Sequence, residues 1–150
     1  MSISIRDFDG GERQLSEARV EGLGAEMRGR LIQAHDADFE EACQIWNGMI
    51  TRRPALIAEC AGAADVMAAV RFAASERLLT SVRGGGHNIA GSALCEGGLM
   101  IDLSRMRTVS VDRQRRAARV QGGALLGDVD HETQAFGLAV PTGINSTTGI

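Results

Sequence analysis

The chain has 150 residues and a formal net charge of −3, with 44% hydrophobic and 23% charged residues. That composition excludes a disordered segment and gives no general electrostatic reason to expect nucleic acid or a membrane surface. There is no tyrosine and no lysine, all 16 basic residues being arginine, which removes a Walker phosphate lysine, a Schiff-base lysine and a tyrosine–lysine catalytic pair.

Residues 1–30 are polar and glycine-interrupted and predict a loosely attached leader with a short helix over 23–32. Phe39, Cys43 and Trp46 recur at helical spacing behind Asp38, Glu40 and Glu41, which predicts a helix over 36–47 that ends at Asn47-Gly48. Residues 55–60 read as a strand. Residues 62–78 read as a helix with Asp65 near its start and Val66, Val70 and Ala74 on one face, and 79–83 as a second strand. This strand–helix–strand unit has the length of a parallel crossover. Residues 99–103 predict a further strand. Residues 108–111 and 117–121 predict two strands joined by a polar turn, and 124–136 a helix closed by Gly137, with a short strand at 138–140. The class is α+β, a small parallel β/α layer followed by a more antiparallel region with helices.

Three cysteines, Cys43, Cys60 and Cys95, are too widely spaced for a C-x-x-C pair, and an odd number gives no disulfide framework. They point to a reducing compartment, the cytoplasm, with Cys95 as a small buried apolar side chain. No apolar run marks a signal peptide or a membrane span. The densest basic run, Arg105, Arg107, Arg113, Arg115, Arg116 and Arg119, carries no interleaved aromatic residue and reads as the solvated face of a hairpin.

Gly84-Gly85-Gly86-His87-Asn88 follows a strand directly, a place where backbone N–H groups can ring an anion. A G-x-G-x-x-G dinucleotide loop is excluded, because Ile89 stands at its third glycine position and no helix pattern follows. His87 has no metal partners at ligand spacing, and no metal site is expected. Two roles stay open for it: a histidine donating to a loop carbonyl, or a nucleophile toward an electrophilic carbon of a bound cofactor. His35 and His131 read as surface residues.

The run Arg83-Gly84-Gly85-Gly86-His87-Asn88-x-x-Gly91, then Gly97-Gly98 and the strand ending Ile101-Asp102-Leu103-Ser104, resembles the first half of FAD-linked oxidases. The family is the berberine-bridge-enzyme-like group, with its vanillyl-alcohol-oxidase or PCMH type of FAD-binding domain. The stretches Ala118-Arg119-Val120-Gln121-Gly122-Gly123-Ala124 and Gly137-Leu138-Ala139-Val140-Pro141-Thr142-Gly143 match it in order and spacing, so the resemblance runs over about 53–150. It implies an FAD-binding domain of two subdomains, with His87 bonded covalently to the flavin 8α-methyl carbon. The backbone of Gly84, Gly85, Gly86 and Asn88 surrounds the pyrophosphate on this reading, and Arg83 either neutralises it or forms a salt bridge at the strand end. The resemblance implies Gly91, Pro141, Thr142, Gly143, Asn145 and Thr148 as further cofactor-binding positions. Asn145 stands where some members carry a second, cysteinyl flavin bond, which implies single attachment here.

The implied function is hydride transfer from a small organic substrate of alcohol, amine or sugar type to FAD, and on to O2. Two alternatives stay open: the same fold holding FAD non-covalently, as a reductase, and a truncated, non-catalytic binding fragment. The resemblance also implies that relatives continue past residue 150 into a substrate domain that supplies the catalytic base. On that reading 1–50 is a leader with helices, 51–150 is an FAD-binding domain incomplete at its C-terminus, and the chain alone is inactive. Oligomeric state has no signal in the sequence.

Overall fold

The computed structural model describes residues 2–150. Its centre is a four-stranded sheet in the order β3-β4-β6-β5, built from β3 (Arg30–Ile32), β4 (Leu56–Glu59), β5 (Thr80–Arg83) and β6 (Leu99–Asp102). β4 and β5 both run parallel to β6, with Leu56 and Thr80 flanking Leu99, while β3 pairs antiparallel with β4. The predicted crossover exists through α3 (Ala63–Ser75), and β6 fills the gap between its two strands. β4 and β6 are buried at every position, as central parallel strands covered on both faces should be.

One face of the sheet presents Leu56, Ala58, Leu99 and Ile101 to Ala68, Ala69, Phe72 and Ala73 of α3. The same core takes Val20 and Leu23 of α1 (Glu17–Glu26) and Ile5 and Leu15 of the hairpin β1 (Ser2–Arg6) and β2 (Glu12–Ser16). The leader is therefore not loosely attached: Arg6 N–H donates to Gly97 O at 2.7 Å, and Leu79 N–H to Arg6 O at 3.0 Å. The other face presents Ile57 and Met100 to Ile32, Phe39 and Leu94. Beyond the sheet, β7 (Val109–Asp112) and β8 (Ala117–Val120) form the antiparallel pair, followed by α4 (Leu126–Gln134).

Four further expectations are corrected. The helix over 23–32 ends at Glu26, because Arg28 and Gly29 turn away to donate their N–H groups to Asp65 and Arg30–Ile32 pairs with β4. The helix over 36–47 shrinks to α2 (Phe39–Ala42). The carbonyls of Ala42 and Gln44 are taken by Arg83 Nη1, at 2.6 and 3.1 Å, and Trp46 N–H is drawn to Gly86 O, so the helical partners are consumed elsewhere. On α3 the buried stripe is Ala68, Ala69, Phe72 and Ala73, while Val70 and Ala74 face solvent; in an alanine-rich helix the small residues allow the closest approach to the sheet. Finally, 138–140 forms no strand: Leu138 N–H folds back onto Thr133 O, and Val140 is exposed.

Asp65 shows how the leader is fixed. Its side chain is buried, with Oδ1 accepting Arg28 N–H at 3.0 Å and Oδ2 accepting Gly29 N–H at 2.9 Å and Ala61 N–H at 2.8 Å. Burial alone would raise its pKa, but these three N–H groups outweigh it and hold the carboxyl below its ordinary value. Asp65→Asn replaces one acceptor oxygen by an NH2 that faces N–H donors. We expect a loss of about 2 kcal/mol in urea unfolding. Because the folded pKa is depressed, Asp65 contributes fully above its unfolded pKa near 3.9 and loses that contribution as pH falls through the lower folded value. The acid limb of the stability–pH curve should therefore flatten in Asp65→Asn; an unchanged limb would show that another carboxylate carries it.

Candidate functional site

The three glycine-bearing motifs converge through main-chain contact. A Cβ on Gly84 would lie 2.5 Å from Gly122 O, and one on Gly85 would lie 2.5 Å from Gly149 Cα. Neither approach admits a side chain. These two glycines thus serve the packing of chain on chain, where the sequence suggested approach to an anion alone. Gly86 turns the loop in the left-handed region at φ +69°, which glycine adopts without a Cβ penalty. Leu125 and Gly149 form an antiparallel bridge, and the carbonyls of Thr148 and Ser146 accept the N–H groups of Leu126 and Gly127 at the start of α4. The chain end is thereby laid beside the His87 loop.

Among the described residues, none of the amides from Gly84 to Asn88 donates to protein. The packing leaves a run of N–H donors in the loop, the property an anionic group requires. Asn88 closes the loop, its Oδ1 accepting Ser92 N–H at 3.0 Å and its carbonyl accepting Gly91 N–H. Gly91 lies under Ile50, where a Cβ would meet the isoleucine side chain at 2.7 Å.

His87 is half-buried. Its Nδ1 lies 3.0 Å from Gly85 O, and because a carbonyl only accepts, the hydrogen belongs on Nδ1 and the neutral ring keeps its lone pair on Nε2. Nε2 lies 3.4 Å from Thr147 Oγ1, whose hydrogen goes to Asn145 Oδ1 at 2.9 Å. The indole of Trp46 stacks on the imidazole, with centroids 5.5 Å apart and planes inclined by 24°.

Arg83 takes the strand-end salt bridge. Its Nε donates to Asp102 Oδ1 at 3.0 Å and its Nη2 to Oδ2 at 2.5 Å, while Nη1 serves Ala42 O and Gln44 O. With all three nitrogens engaged by protein acceptors, it braces the loop from beneath. Pro141, Thr142 and Gly143 are exposed, and no hydrogen bond among the described residues joins them to the His87 loop. Asn145 reaches the site through Thr147, whereas the backbone of Thr148 bonds to Asn145 and Leu126. Trp46 and Thr147 are the residues that sequence reasoning missed. Trp46 is the chain's single tryptophan, yet its helical spacing from Phe39 and Cys43 pointed to a helix face.

The cysteines are free, and burial pushes each thiol upward, Cys60 to about 12, so none is a thiolate near neutrality. Cys95 is buried, in the small apolar role expected of it. His35 and His131 are exposed. Among the described residues no group of three histidine, cysteine or acidic side chains is placed to hold a metal ion, and no helix is long and apolar enough to cross a membrane.

The model of the FAD binding domain family matches residues 54–150. (R)-6-hydroxynicotine oxidase of Paenarthrobacter nicotinovorans is 40% identical over 123 residues, 82% of this chain and 27% of that protein. The crystal structure of 6-hydroxy-D-nicotine oxidase from Arthrobacter nicotinovorans superposes with a TM-score of 0.79 at 40% identity, covering 82% of this chain and 27% of that one. BBE-like 1 of Physcomitrella patens, at 22% identity and a TM-score of 0.80 over 87% of this chain and 29% of its own, shares the fold. The chain thus spans about a quarter of the length of the curated relatives it matches. By the family match over residues 54–150 and the α+β PCMH-type fold, the chain belongs to the FAD binding domain family of FAD-linked oxidoreductases.

Proposed function

We propose that this chain is the FAD-binding portion of an oxidoreductase that takes hydride from a small organic substrate of alcohol, amine or sugar type and passes the electrons to O2. We assign the cofactor-holding part to residues 51–150, with Trp46 contributed by the segment before it. The hydroxynicotine oxidase name of a 40%-identical relative supports the amine member of that substrate class. The three widely spaced free cysteines support a reducing compartment such as the cytoplasm.

The observation that carries the reading is the pairing of unspent N–H groups at Gly84–Asn88 with an imidazole whose Nδ1 is taken by Gly85 O, on one loop. Such a loop fits a dinucleotide: the amides receive the pyrophosphate, and the histidine meets the ring. A bound flavin supplies a two-electron acceptor for the substrate's hydride. His87 would hold the flavin through a bond from Nε2 to the 8α-methyl carbon, giving up its ring proton as one methyl hydrogen leaves, and the flavin would accept the two electrons released before passing them to O2. Asn145 has no nucleophile for a second bond and holds the Thr147 hydroxyl instead.

The test begins with an absorbance spectrum of the purified protein, where a flavin band is expected and its lack after incubation with FAD would defeat the proposal. In His87→Ala, flavin should leave with the supernatant on acid precipitation, whereas the parent pellet stays fluorescent; a fluorescent mutant pellet overturns the attachment. Peptide mapping of the holoprotein should yield one flavin-bearing peptide, that containing residue 87. A second from residues 138–150 would contradict single attachment.

A further inference from the structure

We infer that Trp46 is the positioning residue of the His87 site, holding the imidazole so that Nδ1–H stays on Gly85 O and Nε2 is the nitrogen presented to the cofactor. This rests on the reading of His87 as the flavin attachment point.

Trp46 is 62% exposed and belongs to neither apolar cluster, so core packing does not account for its place. Its location is nevertheless fixed from both sides. Trp46 N–H donates to Gly86 O at 3.1 Å, just before His87, and Asn47 Nδ2 donates to Ile89 O at 2.9 Å, just after it. Arg83 clamps the two carbonyls that precede it in the chain, those of Ala42 and Gln44. The indole is thus pinned to the loop whose histidine it covers.

An imidazole on a loop has a soft χ2, and a half-turn about it exchanges Nδ1 with Cδ2 and Nε2 with Cε1, which takes Nδ1 off its acceptor and re-aims Nε2. The Gly85 carbonyl rewards one of those orientations, and the stacked indole confines the ring plane in which it is reached. Thr147 donates no hydrogen bond to Nε2, because its hydroxyl hydrogen is committed to Asn145. As Nε2 forms a bond, positive charge develops across the ring, and the Nδ1–H held by Gly85 O is where it is stabilised.

The experiment compares the parent protein, Trp46→Ala, Trp46→Phe and His87→Ala. Two readouts are taken: the nitrogen chemical shifts of the His87 ring in protein free of FAD, and the rate at which acid-stable flavin appears after FAD is added. The parent should show one neutral form, Nδ1–H, and linkage through Nε2. Trp46→Ala should show a mixture of the two neutral forms and incorporate flavin at least roughly tenfold more slowly, the scale set by misplacing a reacting group. Trp46→Phe, which keeps an aromatic face, should restore most of both. An unchanged ring signature and rate in Trp46→Ala, with His87→Ala free of bound flavin, would overturn the positioning role while leaving His87 as the attachment point. Linkage through Nδ1 would overturn it equally. Acid-stable flavin in His87→Ala would instead bring down the reading of His87, and the proposal with it.

Discussion

Arg83 and Asp102 sit side by side at the ends of β5 and β6, with 12% and 1% of their side chains exposed. A buried pair of this kind gains little by itself, but removing one partner strands a charge in the interior, so its surroundings are obliged to stay assembled. Asp102 spends its remaining capacity on the N–H and hydroxyl of Ser104, and Arg83 on two carbonyls of the 42–44 segment. One ion pair therefore joins the two strands, terminates α2, and delivers Trp46 to the loop that follows β5. The geometry at His87 descends from it.

Above that base, the site is assembled by close contact between bare stretches of backbone. Gly84 meets Gly122, and Gly85 meets Gly149. Three segments distant in sequence can approach this closely only where side chains are missing. The contact sets Gly122 O against Gly84 and the backbone nitrogens and α-carbons of Gly85 and Gly149 against each other, while the amides of Gly84–Asn88 donate to no acceptor among the described residues.

A chain whose bases are all arginine also uses them as cross-links. Arg30 joins Glu59 and Asp38, Arg53 grips Glu40 while lying over Phe39, and Arg107 grips Asp128 with two parallel bonds of 2.8 and 2.7 Å. The planar fork suits such two-point contacts better than an ammonium does. The basic run thereby divides. Arg105 and Arg107 are tied to acids on other elements, whereas Arg113, Arg115 and Arg116 lie exposed at the turn between β7 and β8, the solvated face expected of a hairpin.

The elements whose signals are local were legible in the sequence: the apolar runs of β4 and β6, the crossover helix, the β7–β8 pair, and the glycine–histidine run after β5. Each is set by composition over a few neighbouring residues, and the order of the motifs was enough to suggest the family. What the sequence left undetermined depends on partners far along the chain. Trp46 leaves its helical pattern because Arg83 and Gly86 take the hydrogen bonds a helix would need, and Arg28 and Gly29 leave theirs for Asp65. The stripe buried on α3 is chosen by how closely alanines approach a sheet, and Thr147 meets His87 only because Gly149 can lie against Gly85. Helical spacing reports a preference worth a fraction of a kcal/mol per residue; tertiary hydrogen bonds to buried charged groups are each worth more, and where the two competed, the tertiary structure decided.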